Sequence, residues 1–219
     1  MRLKIKTLFL VFVVFFFCTG IAGGKVIKGT SSPDRTPEWY AMQWLTHSEY
    51  SPEFQVLDTE SALGRYAPMT KTITLKDIVK FHGHACDGLV QAASALKLAF
   101  GEIFPNGVVD RTELRILAKN SPCFMDTAAY LTGGRINFGT LEVDNSLGAS
   151  FIVQNTSTGK TVKVSRRPGV FPEKLAELEE KVKSGNASPA EITKTRDLAW
   201  EFAKKLLSRP LKDSFQVKI

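Results

Sequence analysis

Apolar side chains recur at helical spacing between residues 88 and 104, where Leu89, Ala92, Ala93, Leu96, Ala99, Phe100 and Ile103 share one face. Pro105, Asn106 and Gly107 break the pattern, so the longest core helix is expected over 88–104. A shorter helix precedes it, with Thr74 placed to cap a turn carrying Leu75, Ile78, Val79 and Phe81. Ser121-Pro122-Cys123 opens another, which reaches Leu131 and stops at Gly133-Gly134. Between the last two, residues 112–118 alternate as a strand does. Three more strands are expected near 138–144, 149–155 and 161–165, the last two joined by a hairpin over Ser157-Thr158-Gly159-Lys160. Beyond Pro168 two amphipathic helices follow, over 172–183 and 188–207, separated by Ser184-Gly185-Asn186. Ser188 and Glu191 form a capping box for the second. Nearer the start, Thr36 and Pro37 suit the first turn of a helix with Trp39, Tyr40, Trp44 and Leu45 on an aromatic face. The central order is helix, strand, helix, three strands around a mixed, mostly antiparallel sheet, which predicts an α+β fold with helical N- and C-terminal extensions.

The first residues differ in kind from the rest. Arg2, Lys4 and Lys6 precede an apolar run over 8–18, and small residues follow at Gly20, Ala22, Gly23 and Gly24. A charged start, a short apolar stretch and a small-residue exit describe an export signal cleaved near Gly23. The run is shorter than the roughly 20 residues of a membrane-spanning helix, although Ile21 and Ala22 extend it and keep an uncleaved N-terminal anchor open. On either reading the expected location is the periplasm or cell envelope, with membrane contact through this segment alone. About 195 residues remain after cleavage, enough for one domain with a proper core. Loss of the leader's cations lowers the formal charge from +7 to +4, and no basic run with interleaved aromatics is present, so nucleic acid is excluded as a partner.

Cysteine and histidine usage narrows the chemistry. The mature chain would hold two cysteines and three histidines, four of which fall in two short segments. The first is His82-Gly83-His84-Ala85-Cys86-Asp87-Gly88, a glycine-bearing turn between two expected helices. Its spacing can aim several ligand atoms to one side, and imidazole nitrogen and thiolate sulfur are good zinc ligands. Cys86 and Cys123 each fall at the N-terminal end of a helix, where free amides and the positive dipole end stabilise a thiolate. Asp126 lies one turn after Cys123 and can ligate, orient a histidine ring or act as a base. First-turn aspartates such as Asp126 and Asp87 also answer simply to the helix dipole. His47 has no other ligands beside it and reads as a surface or core residue. Two cysteines in an exported chain can instead form a disulfide. Two histidines beside two helix-capping cysteines favour a transition metal, zinc foremost, held by His82, His84, Cys86 and Cys123, with Asp87 and Asp126 as supporting carboxylates or further ligands.

The run from Phe81 through Gly88, followed by Cys123-Phe124-Met125-Asp126 and then Leu131-Thr132-Gly133, resembles the FmdE-like family of formylmethanofuran dehydrogenase proteins. The resemblance covers about residues 73–165. It implies a helix, strand, helix, three-strand core, a homodimer, and a metal site in a cleft where the histidines and cysteines converge. The chain then divides into 1–23 as signal or anchor, 24–72 as an N-terminal extension, 73–165 as the metal-binding core and 166–219 as a helical C-terminal extension. Asp87 stands where the family usually has proline and could add a carboxylate; Ala129 stands where it commonly has glutamine and takes a polar group out of the cleft. No cysteine follows Cys123, so two terminal helices occupy the place of the family's frequent zinc ribbon. The function expected is to hold or deliver a metal or a metal-bearing ligand. The alternatives are a metal-dependent enzyme of unnamed substrate, and a redox protein that opens and closes a Cys86–Cys123 disulfide.

Overall fold

The computed structural model describes residues 42–58 and 69–219. The expected export signal and the start of the expected aromatic helix lie outside these residues. What is described of that helix is one turn, α1 (Trp44–His47), which buries Leu45. Two short strands follow, β1 (Phe54–Leu57) and β2 (Lys71–Ile73), paired antiparallel with Phe54 opposite Ile73. Neither is foreseen in the sequence, because three or four residues carry too little alternation to stand out.

Thr74 then starts α2 (Leu75–His82), its backbone N–H and hydroxyl both donating to the Asp77 carboxylate at 2.8 Å. After a turn comes α3 (Asp87–Ile103), the long core helix expected from its apolar spacing. β3 (Val108–Asp110) runs parallel to β1, completing a three-stranded sheet ordered β2-β1-β3. β4 (Leu114–Ala118) and α4 (Pro122–Thr132) follow as predicted, with Ser121 as the cap residue and Gly133 closing α4 at φ 65°. The strand expected over 138–144 contracts to β5 (Leu141–Val143), because residues 136–138 form a single 3-10 turn. β6 (Ser150–Asn155) and β7 (Thr161–Arg166) make the expected hairpin, and the Asn155 side chain accepts from the N–H groups of Ser157 and Thr158 in its loop.

The C-terminal part contains α5 (Glu173–Lys183), α6 (Pro189–Leu207), a single-turn α7 (Leu211–Ser214) and β8 (Phe215–Lys218). β8 pairs antiparallel with β7, so the larger sheet has five strands, ordered β5-β4-β6-β7-β8, and is antiparallel except at β4–β5. The C-terminal extension is therefore more than a pair of helices, since its last residues form an edge strand of the sheet.

One face of this sheet is apolar. Leu114, Ile116 and Ala118 of β4, Phe151 and Val153 of β6, and Val162 and Val164 of β7 are buried, whereas Arg115 and Lys163 between them face water. α3 packs on the apolar face, against β6 and β7 on one side and α4 and α6 on others. Its alanines at 92, 93, 95 and 99 are fully or almost fully buried and let the neighbouring elements approach closely. Phe124 of α4 stacks on Phe151 with ring centroids 4.9 Å apart, and Phe54 meets Phe100 edge-on at 5.9 Å. Burying each such leucine, valine or phenylalanine contributes about 1.5–3 kcal/mol. The α+β class expected from the sequence is the class observed. Among the described residues no helix is long and apolar enough to cross a membrane.

Candidate metal centre

Three helix ends meet at one place: the last residue of α2, the first turn of α3 and the first turn of α4. Gly83 terminates α2 at φ 95°, a left-handed conformation that glycine adopts without strain, and its N–H bonds back to Val79 at 2.8 Å. That turn leaves His82 on α2 and brings Cys86 to the cap of α3, where its sulfur accepts from the Leu89 N–H at 3.4 Å. Cys123, next to the Pro122 that begins α4, presents its sulfur from the facing helix. The two sulfurs are 3.4 Å apart and both cysteines are free thiols.

The close approach depends on Gly88. A Cβ there would lie 2.9 Å from the Cys123 sulfur and 3.1 Å from its Cβ, so only glycine lets α4 set its cysteine against the first turn of α3.

His82 Nε2 lies 3.8 Å from the Cys86 sulfur, and its Nδ1 lies 2.7 Å from Asp126 Oδ2. The carboxylate accepts a hydrogen bond from Nδ1–H and leaves the Nε2 lone pair facing the Cys86 sulfur, the orientation a metal-ligating histidine requires. Phe81, half-exposed, helps hold the two helices in this register with its ring 5.2 Å from Tyr130, one turn beyond Asp126. The His84 ring sits 4.5 Å from that of His82, and single ligand atoms of His82, His84 and Cys86 all fall within 4.8 Å of one another.

The proton inventory also suits a metal. The hydrogen bond between the sulfurs, with burial, raises Cys86 far above the ordinary thiol range, while the same bond lowers Cys123 to about 6. The contact sets the two thiols apart, with Cys123 the more acidic of the pair. Partial burial, and then the nearby His82, lowers His84 and favours its neutral, ligating form.

A tetrahedral zinc ion with Zn–S of about 2.3 Å and Zn–N of about 2.0 Å sets its sulfurs roughly 3.8 Å apart and sulfur from nitrogen roughly 3.6 Å. The S–S separation of 3.4 Å and the S–N separation of 3.8 Å come within about 0.4 Å of those edge lengths. The residues fit such an ion, the Cys86 sulfur standing near both the Cys123 sulfur and His82 Nε2, with the His84 ring beside that of His82. His82, His84 and Cys86 are thus brought together, and Cys123 meets this group through its 3.4 Å contact with the Cys86 sulfur. Asp126 faces the back of His82. Asp87 points elsewhere: it is buried, accepts from Gln91 Nε2 at 2.8 Å, and burial raises it to about 6. His47 is distant in role, its Nδ1 2.9 Å from the Gln43 carbonyl at the end of α1.

The family model described as "FmdE, Molybdenum formylmethanofuran dehydrogenase operon" matches residues 81–216, more than half of the chain. The chain belongs to the FmdE family. The FmdE match begins at the residue before His82 and runs through α5, α6 and the first half of β8, well past residue 165, where the motif resemblance ends. Among solved structures the chain is similar to a tungsten formylmethanofuran dehydrogenase FmdE-like protein from Syntrophus aciditrophicus, at 17% identity and a TM-score of 0.38, covering 67% of this chain and 71% of that one. No curated protein matches the chain.

Beside Cys123 the FmdE-family centre opens onto a cavity of about 380 Å³ lined by Gln91, Lys119, Phe124, Arg166 and Phe171 among others. Sequence reasoning missed these residues. One signal was available: Gln91 is a polar interruption on a buried face of α3, one turn from Asp87. Lys119 and Arg166 carried none, being ordinary cations at strand ends.

Proposed function

We propose that this FmdE-family protein is an exported zinc-binding protein that uses His82, His84, Cys86 and Cys123 to hold or deliver a metal or a metal-bearing ligand. One observation carries the reading: the Cys86 sulfur lies 3.4 Å from the Cys123 sulfur and 3.8 Å from His82 Nε2, with Asp126 fixing the ring from behind. The leader read from the sequence supports export, and the family resemblance supports a homodimer. Residues 73–165 are proposed as the metal-binding core, with α5 to β8 as an integral extension.

The cavity beside Cys123 favours a second reading, a metal-dependent enzyme, because an ion there would have room for a substrate next to it. When bound, such an ion supplies Lewis acidity. This chain's own contribution would be to keep the His82 tautomer through Asp126 and to hold Asp87 at the cavity wall as a proton-transfer group. The redox alternative requires the sulfurs to close from 3.4 Å to about 2.05 Å.

Elemental analysis of the purified protein, prepared without chelators or nickel columns, decides the matter together with a thiol count under denaturing conditions. Zinc stoichiometric with the chain and free thiols at both Cys86 and Cys123 is the expected result. No metal and no free thiol would replace it with a disulfide protein.

A further inference from the structure

Three cations and two carboxylates, Asp87 and Glu179, line the cavity beside Cys123. Lys119 reaches it from the loop after β4, Arg166 from the end of β7 and Lys183 from the end of α5. Lys183 is paired with Glu179 at 3.2 Å. Among the described residues, Lys119 and Arg166 form no ion pair with a carboxylate. They rest on aromatic faces instead, Lys119 Nζ 4.5 Å from the Phe124 centroid and the Arg166 guanidinium 4.3 Å from that of Phe171.

Arg166 also donates to the Gln91 side-chain oxygen, while the Gln91 amide donates to Asp87. A neutral partner therefore fixes the guanidinium and leaves its charge uncompensated at close range. Asp87 is bonded to Gln91 and Glu179 is paired with Lys183, so both lining carboxylates act on Arg166 only at longer range. Burial, and then repulsion from Arg166 and Lys183, lowers Lys119 despite opposing attraction from Cys123 and Glu179. Gly88 and Ser121, at the N-terminal ends of α3 and α4, line the same wall and add two positive dipole ends.

We propose that this cavity binds a small organic anion, its carboxylate or phosphate oxygens held by Lys119 and Arg166 and its carbon body lying along Phe124, Ala149 and Phe171 toward the Cys123 edge of the metal centre. A guanidinium fork beside an ammonium matches either group of oxygens. The inference rests on the metal-binding reading, whose ligand class it names.

The test is calorimetric titration of the zinc-loaded protein at low ionic strength with benzoate, phenyl phosphate, inorganic phosphate and benzamide. Benzoate or phenyl phosphate should bind at least about tenfold more tightly than neutral benzamide and more tightly than inorganic phosphate, and the better of the two identifies the anionic group. Lys119→Met and Arg166→Met should each weaken that binding about tenfold or more, with zinc content and circular dichroism equal to those of the unsubstituted protein. Lys119 sits outside the strands, so its variant stands as the readout if Arg166→Met misfolds. Binding of benzamide as tight as benzoate, tightest binding of inorganic phosphate, or anion affinity unmoved by Lys119→Met would overturn the proposal. Zinc-loaded protein that ignores the organic anions removes this inference alone. Protein without zinc that still binds them through Lys119 and Arg166 removes the metal reading and leaves the anion pocket standing.

Discussion

The Asp126 carboxylate lies 2.7 Å from Nδ1 of His82, a residue 44 positions earlier in the chain and on a different helix. The His82 side chain is only 3% exposed, so its ring has little freedom once that bond is made. Removing the carboxylate frees both tautomer and ring orientation. Asp126→Ala should lower zinc affinity about 10- to 100-fold, measured by competition with a chelator, and Asp126→Asn should fall in between. Unchanged affinity in both variants would show that the carboxylate answers to the helix dipole alone.

Gly88→Ala tests how α3 and α4 meet. The added methyl would stand 2.9 Å from the Cys123 sulfur, so either the sulfur or the helix must move. A loss of about 1–3 kcal/mol in urea unfolding is expected, together with reduced bound metal. A variant with full zinc content and unchanged stability would mean that α4 shifts at no cost.

The ligand assignment predicts a contrast among three substitutions. Cys86→Ala and Cys123→Ala should each strip most of the metal found by elemental analysis, while His47→Ala, whose imidazole bonds only within α1 and its cap among the described residues, should retain it. Equal metal content in all three would sink the assignment.

Metal removal should loosen the whole chain, because the ligands come from the ends of three helices and an ion ties those ends together. At free zinc about 100 times the dissociation constant, the stabilisation is about 2.7 kcal/mol. Thermal unfolding with and without chelator reads it as a drop in midpoint. Coincident melting curves would mean that binding and folding are uncoupled.

Phe215→Ala examines the C-terminal strand. The ring is 2% exposed at the start of β8, opposite Arg166 of β7, and its truncation should cost about 3–5 kcal/mol in denaturant unfolding. A cost below about 1 kcal/mol would mean that β8 is a loosely attached tail.

The helices of this protein were legible because their signals are local. Thr74 with Asp77, Ser188 with Glu191, and Gly133 as a left-handed stop all act within one turn, and the observed boundaries of α2, α4 and α6 fall beside them. The same holds for the β6–β7 hairpin, whose loop carries its own bonds to Asn155. β1, β2, β3 and β8 were not legible, since each is three or four residues long and exists only through a partner elsewhere in the chain.

The metal-binding residues follow the same division. His82, His84, Cys86 and Cys123 could be selected by type and by their places near helix ends, so the sequence alone picked out the candidate donors. Tertiary structure decided the rest: that Gly88 admits the Cys123 sulfur to 3.4 Å from Cys86, that Asp126 serves His82 while Asp87 turns to Gln91, and that Lys119 and Arg166 share one cavity. Spacing along a chain sets which side chains can share a helix face, but distances between helices arise from packing of the core, and no local pattern encodes them.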